Sequence, residues 1–339
     1  MSWLVQGRLV NGPFGDPGLF VDVRHGARAL LFDLGDVSAL SPRELMRVSD
    51  VVVTHRHMDH FVGFDLLLRL RLNRPGVLRM IGPPDFVEGV RGKLQAYSWN
   101  LLGSQSADFV LQATEFDGVR LGPPVTFAAR RGFEPEMGEP LAVPPGVILS
   151  DPDFEIEAKV LDHGIPCLGL ALQERRQVNV STEGLAELGL PVGPWLRPAK
   201  TAVRSGAPDD TVVDAGARRV PLGLLRERAF RVAPGQRLAY VTDAAFHPEN
   251  ADRIVAIAKG AQDFFIEAAF LDVDAPLAVE RRHLTAGQAG RLARAAGARR
   301  LTTFHHSPRY LDRPDALAEE AERAFRGEGA GVAFGGGMG

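Results

Sequence analysis

The sequence predicts an α/β protein in which a sandwich of β-sheets is covered by helices. Strand-like runs recur through both halves of the chain, helical spacing follows particular runs, and two helical patterns come late. In order, GLFVDVRHG (18–26) and ARALLFDLGD (27–36) alternate or run apolar between Gly and Asp, as strands joined by turns do. DVVVT (50–54) is a short continuous apolar run, expected of a strand buried on both faces. HFVGFDLLLRLRLNRP (60–75) carries apolar residues at helical spacing and stops at Pro75. Further strands are expected at VLRMIG (77–82), FVLQATEF (109–116), FEIEAKVLDHG (154–164), CLGLALQE (167–174), RLAYVTD (237–243) and DFFIEAAF (263–270). Residues 285–297 and 314–326 read as helices, and GAGVAFGGGMG (329–339) as a last strand with a Gly tail. Residues 173–236 interrupt this pattern with Gly, Pro and charge, and read as an excursion from the core: a surface loop or a functional insertion.

Composition narrows the function classes. At 45% hydrophobic and 24% charged, the 339 residues supply ample core for an ordinary soluble globular protein. No apolar stretch reaches the roughly 18 residues of a membrane span, so no membrane partner is expected. A single cysteine, Cys167, excludes an intrachain disulfide framework. The N-terminus lacks a basic segment followed by an apolar one, and both features point to the cytoplasm. At net charge −3, a nucleic acid partner would have to be held by a local basic patch. No Walker loop or G-x-S-x-G elbow is visible.

The chemistry concentrates at THRHMDH (54–60), where three of only nine histidines fall within seven residues, straight after a strand. Neutral imidazole and carboxylate are ordinary ligands for zinc and its neighbours. His55 and His57, two apart in extended chain, project to one side and can grip one ion. Asp59 and His60 lie where the loop turns into a helix and suit a second. The remaining ligands are expected at other strand ends, where His163, Asp243 and His305 stand. A carboxylate such as Asp243 can bridge two cations.

THRHMDH resembles the H-x-H-x-D-H signature of the metallo-β-lactamase superfamily. More narrowly, the chain is similar to ribonuclease Z, the tRNA 3′-processing endonuclease family. LDHGIPCLGLALQE, YVTD, IEAAF, RHLTAGQAGRLARAAGARRLTTFHHSPRY and the Gly-Pro segment LGLPVGPWLRPAK carry that likeness across nearly the whole chain. Family segments of the form L-G-T-G and D-C-G-E-G-T-Q are replaced here by LVNGPFGDPGLF and DLGDVSAL. The resemblance implies a four-layer αββα sandwich, a single domain over 1–339 with an arm inserted at about 173–236. It implies two divalent ions, zinc foremost with manganese or iron as alternatives. One would rest on His55, His57 and His163, the other on Asp59, His60 and His305, with Asp243 bridging. It also implies a homodimer and precursor tRNA as partner.

Two adjacent dications activate a water and stabilise phosphoryl charge. Asp59 is placed to hydrogen-bond that water. His283 is expected to donate a proton to the leaving 3′-oxygen or to clamp a phosphate, with Glu267 orienting its second nitrogen. Arg69, Arg71, Arg74 and Arg79 either attract phosphates or form a solvated face. Trp195, Arg197 and Lys200 are expected at an exposed apex of the arm, stacking on and neutralising RNA. Two other readings remain: a phosphodiesterase for small esters such as cyclic nucleotides, which needs no arm, and a metal-holding RNA-binding protein without turnover.

Overall fold

The computed structural model describes residues 4–24 and 28–328, so His25 and the expected last strand at 329–339 lie outside the described residues. Eight strands form the first sheet in chain order: β1 (Val5–Leu9), β2 (Leu19–Val23), β3 (Ala29–Phe32), β4 (Val48–Val52), β5 (Gly76–Gly82), β6 (Phe109–Glu115), β7 (Val125–Ala128) and β8 (Pro135–Met137). Between them lie α1 (Pro42–Arg47), α2 (Met58–Phe61), α3 (Phe64–Arg71) and α4 (Phe86–Gln95). The chain then enters a second sheet through β9 (Val147–Ser150), β10 (Phe154–Asp162) and β11 (Pro166–Glu174).

The excursion follows, with β12 (Gln177–Val180), α5 (Thr182–Glu187), α6 (Leu196–Arg204), β13 (Val212–Ala215), β14 (Arg218–Pro221), α7 (Leu222–Arg228) and β15 (Phe230–Ala233). The second sheet resumes with β16 (Arg237–Val241), β17 (Asp263–Glu267) and β18 (Arg300–Phe304), in the order β18-β17-β16-β11-β10-β9. Helices α8 (Pro248–Ala258), α9 (Ala275–Arg281), α10 (Ala286–Ala295) and α11 (Ala316–Arg326) accompany it.

Strand alternation builds the layers. Leu30 and Phe32 of β3 and Val52 of β4 face the second sheet, where Leu168, Leu170, Leu238 and Tyr240 meet them. Their neighbours Ala29, Leu31 and Val51 pack on Phe64, Leu68, Phe86 and Val90 of the helices outside the first sheet. Ala239, Val241 and Ile266 pack on Ile254, Leu292 and Leu317 on the other side. Period-two alternation thus feeds two apolar clusters from each sheet, which gives helix, sheet, sheet, helix.

Two local expectations change. The helix expected from His60 to Pro75 is two helices that break at Gly63, where a β-carbon would strike the carbonyl of Gly35. Helix α1 lies between the expected strands at 27–36 and 50–54, where no helix was expected. Its signal is Ser41-Pro-Arg-Glu44, a capping box in which Ser41 accepts from the Glu44 amide. Among the described residues no helix is long and apolar enough to cross a membrane.

The excursion is an ordered unit with its own apolar cluster, including Leu185, Trp195, Val203, Val213, Leu222 and Phe230. It leaves β11 after Glu174 and returns at Arg237, where Gln173 and Arg237 are paired. The opposite end of β11, at Pro166, lies beside the histidine cluster, about 26 Å away at 3.3 Å per residue. Trp195 is only 9% exposed, and its indole N–H donates to the Pro191 carbonyl at 2.9 Å. It is therefore a core residue, not an exposed stacking platform. Nor is its segment an apex, since Pro194, Arg197 and Lys200 line a groove shared with Leu4 and Val23 of the body.

Candidate metal centre

Six strand ends meet at one rim of the sandwich. Asp33 follows β3, His55 follows β4, His163 follows β10, Asp243 follows β16, Glu267 ends β17 and His305 follows β18. β16, β17 and β18 run parallel, with Val241 opposite Ile266 and Glu267 opposite Phe304, so their ends reach one level. The β10–β11 turn is tied there by the Ala245 amide, which donates to the Asp162 carbonyl at 2.8 Å. Helix α2, which begins just after His57, presents Asp59 and His60.

Asp243 lies at the middle of the cluster. Its Oδ2 is 3.6 Å from His55 Nε2 and 3.4 Å from His163 Nε2. Its Oδ1 is 3.5 Å from His60 Nε2 and 3.0 Å from His305 Nδ1. His57 Nδ1 stands 3.0 Å from His55 Nε2. Asp59 Oδ2 is 3.4 Å from His60 Nε2 and 3.3 Å from His305 Nε2. Three overlapping donor groups result, His55-His57-His163-Asp243, Asp59-His60-His305 and Asp243-Glu267-His283-His305, and Asp243 Oδ1 faces His60 and His305.

Neighbouring groups fix which imidazole nitrogens are free. His60 Nδ1 donates to Asp33 Oδ2 at 3.0 Å, and His163 Nδ1 donates to the Arg282 carbonyl at 2.8 Å. Each turns its Nε2 toward Asp243 and the cluster. His283 Nδ1 likewise donates to Glu267 Oε2 at 2.8 Å. The other Glu267 oxygen accepts from the amides of Ala244 (2.8 Å) and Leu284 (3.3 Å), which pins a wholly buried carboxylate.

The electrostatics are those of a site built for positive charge. Burial pulls the His305 imidazole down, but the adjoining Asp243 and Asp59 carboxylates outweigh it and hold it at about 10. Burial opposes the His60 cation too, yet Asp243 and Asp33 raise it well above its ordinary range. His55 goes the other way, lowered to about 2 by burial and by the neighbouring His60 charge. Buried His60 Nε2 and His305 Nδ1 face Asp243 Oδ1 without a well-aligned hydrogen bond. Buried nitrogens held this way are costly, and a divalent ion among imidazoles and carboxylates answers that demand.

No family model matches the chain. Over 314 residues it is 31% identical to the ribonuclease Z of Deinococcus radiodurans, covering 91% of this chain and 92% of that protein. The chain belongs to the ribonuclease Z family. Ribonuclease Z proteins of Thermobifida fusca and Nocardia farcinica are also each 31% identical, over 90% of this chain and 84% and 86% of theirs. The metallo-β-lactamase-fold protein YhfI of Bacillus subtilis superposes with a TM-score of 0.54 at 14% identity, covering 95% of this chain and 93% of that one. The four-layer sandwich is thus a metallo-β-lactamase fold, which implies divalent metal, and the residues at this rim fit it.

All nine residues expected at a ribonuclease Z site come together here: His55, His57, Asp59, His60, His163, Asp243, Glu267, His283 and His305. Sequence reasoning missed Asp33, which is fully buried and accepts from the Thr54 amide (2.7 Å), the Thr54 hydroxyl (2.9 Å), His60 and the Tyr240 hydroxyl (2.9 Å). An Asp closing the apolar run ALLF was its only local signal. Arg71 and Arg79 are not phosphate ligands: Arg71 is buried and donates to the Val48 carbonyl at 2.6 Å, and Arg79 pairs with Asp50 at 2.5 Å. Cys167 is buried with its thiol pushed up by burial and by Asp243, so it is no nucleophile.

Proposed function

We propose that this chain is a binuclear metal-dependent endoribonuclease that cuts precursor tRNA at its 3′ side. The observation that carries the reading is the split of the Asp243 carboxylate, one oxygen toward His55 and His163 and the other toward His60 and His305. Each half offers a nitrogen and oxygen set suited to one ion, with zinc the best match and manganese or iron as alternatives. Such ions, when bound, supply Lewis acidity toward a phosphoryl group and a nucleophilic water at neutral pH. The chain's own residues do the rest. Asp59, 41% exposed at its side chain, accepts a hydrogen bond from the attacking water and fixes its approach. His283 holds its Nδ1 proton on Glu267, which leaves Nε2 to deliver a proton to the leaving 3′-oxygen. Burial works against the His283 cation, but Glu267 and Asp243 raise its pKa, so the donor form is favoured.

The excursion supports an RNA substrate over a small ester. Residues 175–236 contain ten Lys and Arg against six Asp and Glu in a chain whose net charge is −3. A cationic unit of this kind attracts a phosphate backbone. It stands at the end of the sheet away from the metal centre, so an RNA touching both spans the molecule or lies across two copies, and we read the protein as a homodimer. Incubating the zinc-loaded protein with a 3′-extended pre-tRNA, and separately with cyclic nucleotides, tests the reading. Chelator-sensitive release of the 3′ trailer is expected. Turnover of cyclic nucleotides alone would replace it with the small-ester reading.

A further inference from the structure

We propose that Arg282 is a phosphate-binding residue for the RNA substrate, held at the rim of the metal centre by the same backbone that orients His163. The proposal rests on the endoribonuclease reading and assigns part of its substrate contact. Arg282 caps the end of α9 in the left-handed region, at φ 61° and ψ 38°. That conformation brings its carbonyl onto His163 Nδ1. Glycine adopts it with least strain, so the backbone task needs no side chain, least of all a long cationic one.

The side chain has its own seat. It lies across Gly164, where a β-carbon would come within 3.0–3.1 Å of Cδ, Nε and Cζ of Arg282. Gly164 itself is left-handed at φ +85°, and its amide donates to Asp162 Oδ1 at 2.6 Å. That same oxygen is the closest carboxylate atom to the guanidinium, at 3.9 Å, beyond hydrogen-bond range. The Arg282 side chain, 55% exposed and next to His163, therefore donates no hydrogen bond among the described residues and has only this 3.9 Å ion pair with Asp162. Its chain neighbour Arg281 lines a cleft of about 370 Å³ together with Arg309, His283 and His305. A planar fork of N–H donors suits two oxygens of one phosphate.

The test uses metal-loaded protein and a labelled pre-tRNA whose scissile bridging oxygen is replaced by methylene, so that it binds without being cut. Binding is followed by anisotropy from 50 to 200 mM salt for the unmodified protein, Arg282→Gly and Arg282→Lys. Arg282→Gly is expected to weaken binding about tenfold at low salt. The slope of log affinity against log salt should be shallower by about one, the mark of one lost phosphate contact. Arg282→Lys should keep the slope and recover part of the affinity. Metal content and Tm should match the unmodified protein, since Gly preserves the carbonyl on His163. An unchanged slope in Arg282→Gly, or loss of metal from it, overturns the proposal. Arg282-dependent binding without cleavage of ordinary pre-tRNA would instead overturn the nuclease reading and leave this one standing. Absence of RNA binding by the unmodified protein overturns both.

Discussion

Asp33→Asn should weaken one of the two proposed metal positions and spare the other. The Asp33 carboxylate divides its work: Oδ1 accepts the Thr54 amide, while Oδ2 accepts His60 Nδ1–H and the Tyr240 hydroxyl. An asparagine has one oxygen to offer. With its NH₂ at the Oδ2 position, His60 loses its acceptor, and the tautomer that frees Nε2 is no longer favoured. With its NH₂ at the Oδ1 position, two N–H groups oppose each other at Thr54, next to His55. The first placement is expected, because the Tyr240 hydroxyl can turn to accept while a backbone amide cannot. Loss of such an orienting partner typically lowers metal affinity 10–100-fold, or about 1.4–2.7 kcal/mol. Competition with a chromophoric chelator should therefore show one ion on the unmodified protein's isotherm and one released at lower chelator. Thermal unfolding after chelation should also fall, by about 1–3 kcal/mol for the damaged buried hydrogen bonds. Two ions bound as tightly as before would refute the argument that Asp33 sets the His60 tautomer.

Four other outcomes follow from the same geometry. Asp243→Ala removes the oxygens facing both proposed metal positions and should abolish binuclear binding and nearly all turnover; elemental analysis finding two ions per chain in the variant would contradict the bridging role. His283→Ala should retain both ions yet slow cleavage roughly 10²–10⁴-fold, and loss of a metal would show that His283 is a ligand instead. In metal-free protein the folded pKa of His305, raised to about 10 from an ordinary 6.5 by Asp243 and Asp59 against burial, makes its contribution to stability complete below pH 6.5 and lost as pH rises toward 10. Chelated protein should accordingly melt lower at pH 9 than at pH 6.5, and a Tm that rises over that interval would refute the charge assignment. Trp195→Ala should destabilise the inserted unit by about 3–5 kcal/mol, seen as proteolysis confined to 175–236, whereas unchanged resistance would mean that its burial is not what holds that unit.

The residues that gather at the rim and the principal strands and helices were legible in the sequence because they depend on local properties. His55 and His57 share a side through strand alternation, and the runs RLAYVTD and FEIEAKVLDHG announce their own ends. Ligand chemistry belongs to the residue type, and periodicity to a few consecutive residues. The tertiary structure decided what depends on pairs distant in sequence. Tyr240 reaches Asp33 across 207 residues only because the two sheets pack face to face. The Arg282 carbonyl meets His163 only because the end of α9 falls beside the β10–β11 turn. Trp195, in a stretch rich in Gly and Pro, could have been exposed or buried on composition alone. Its neighbours in the arm's cluster run from Val178 to Phe230, and their convergence put it inside. Burial belongs to the partners a residue meets, and no single stretch of sequence contains them.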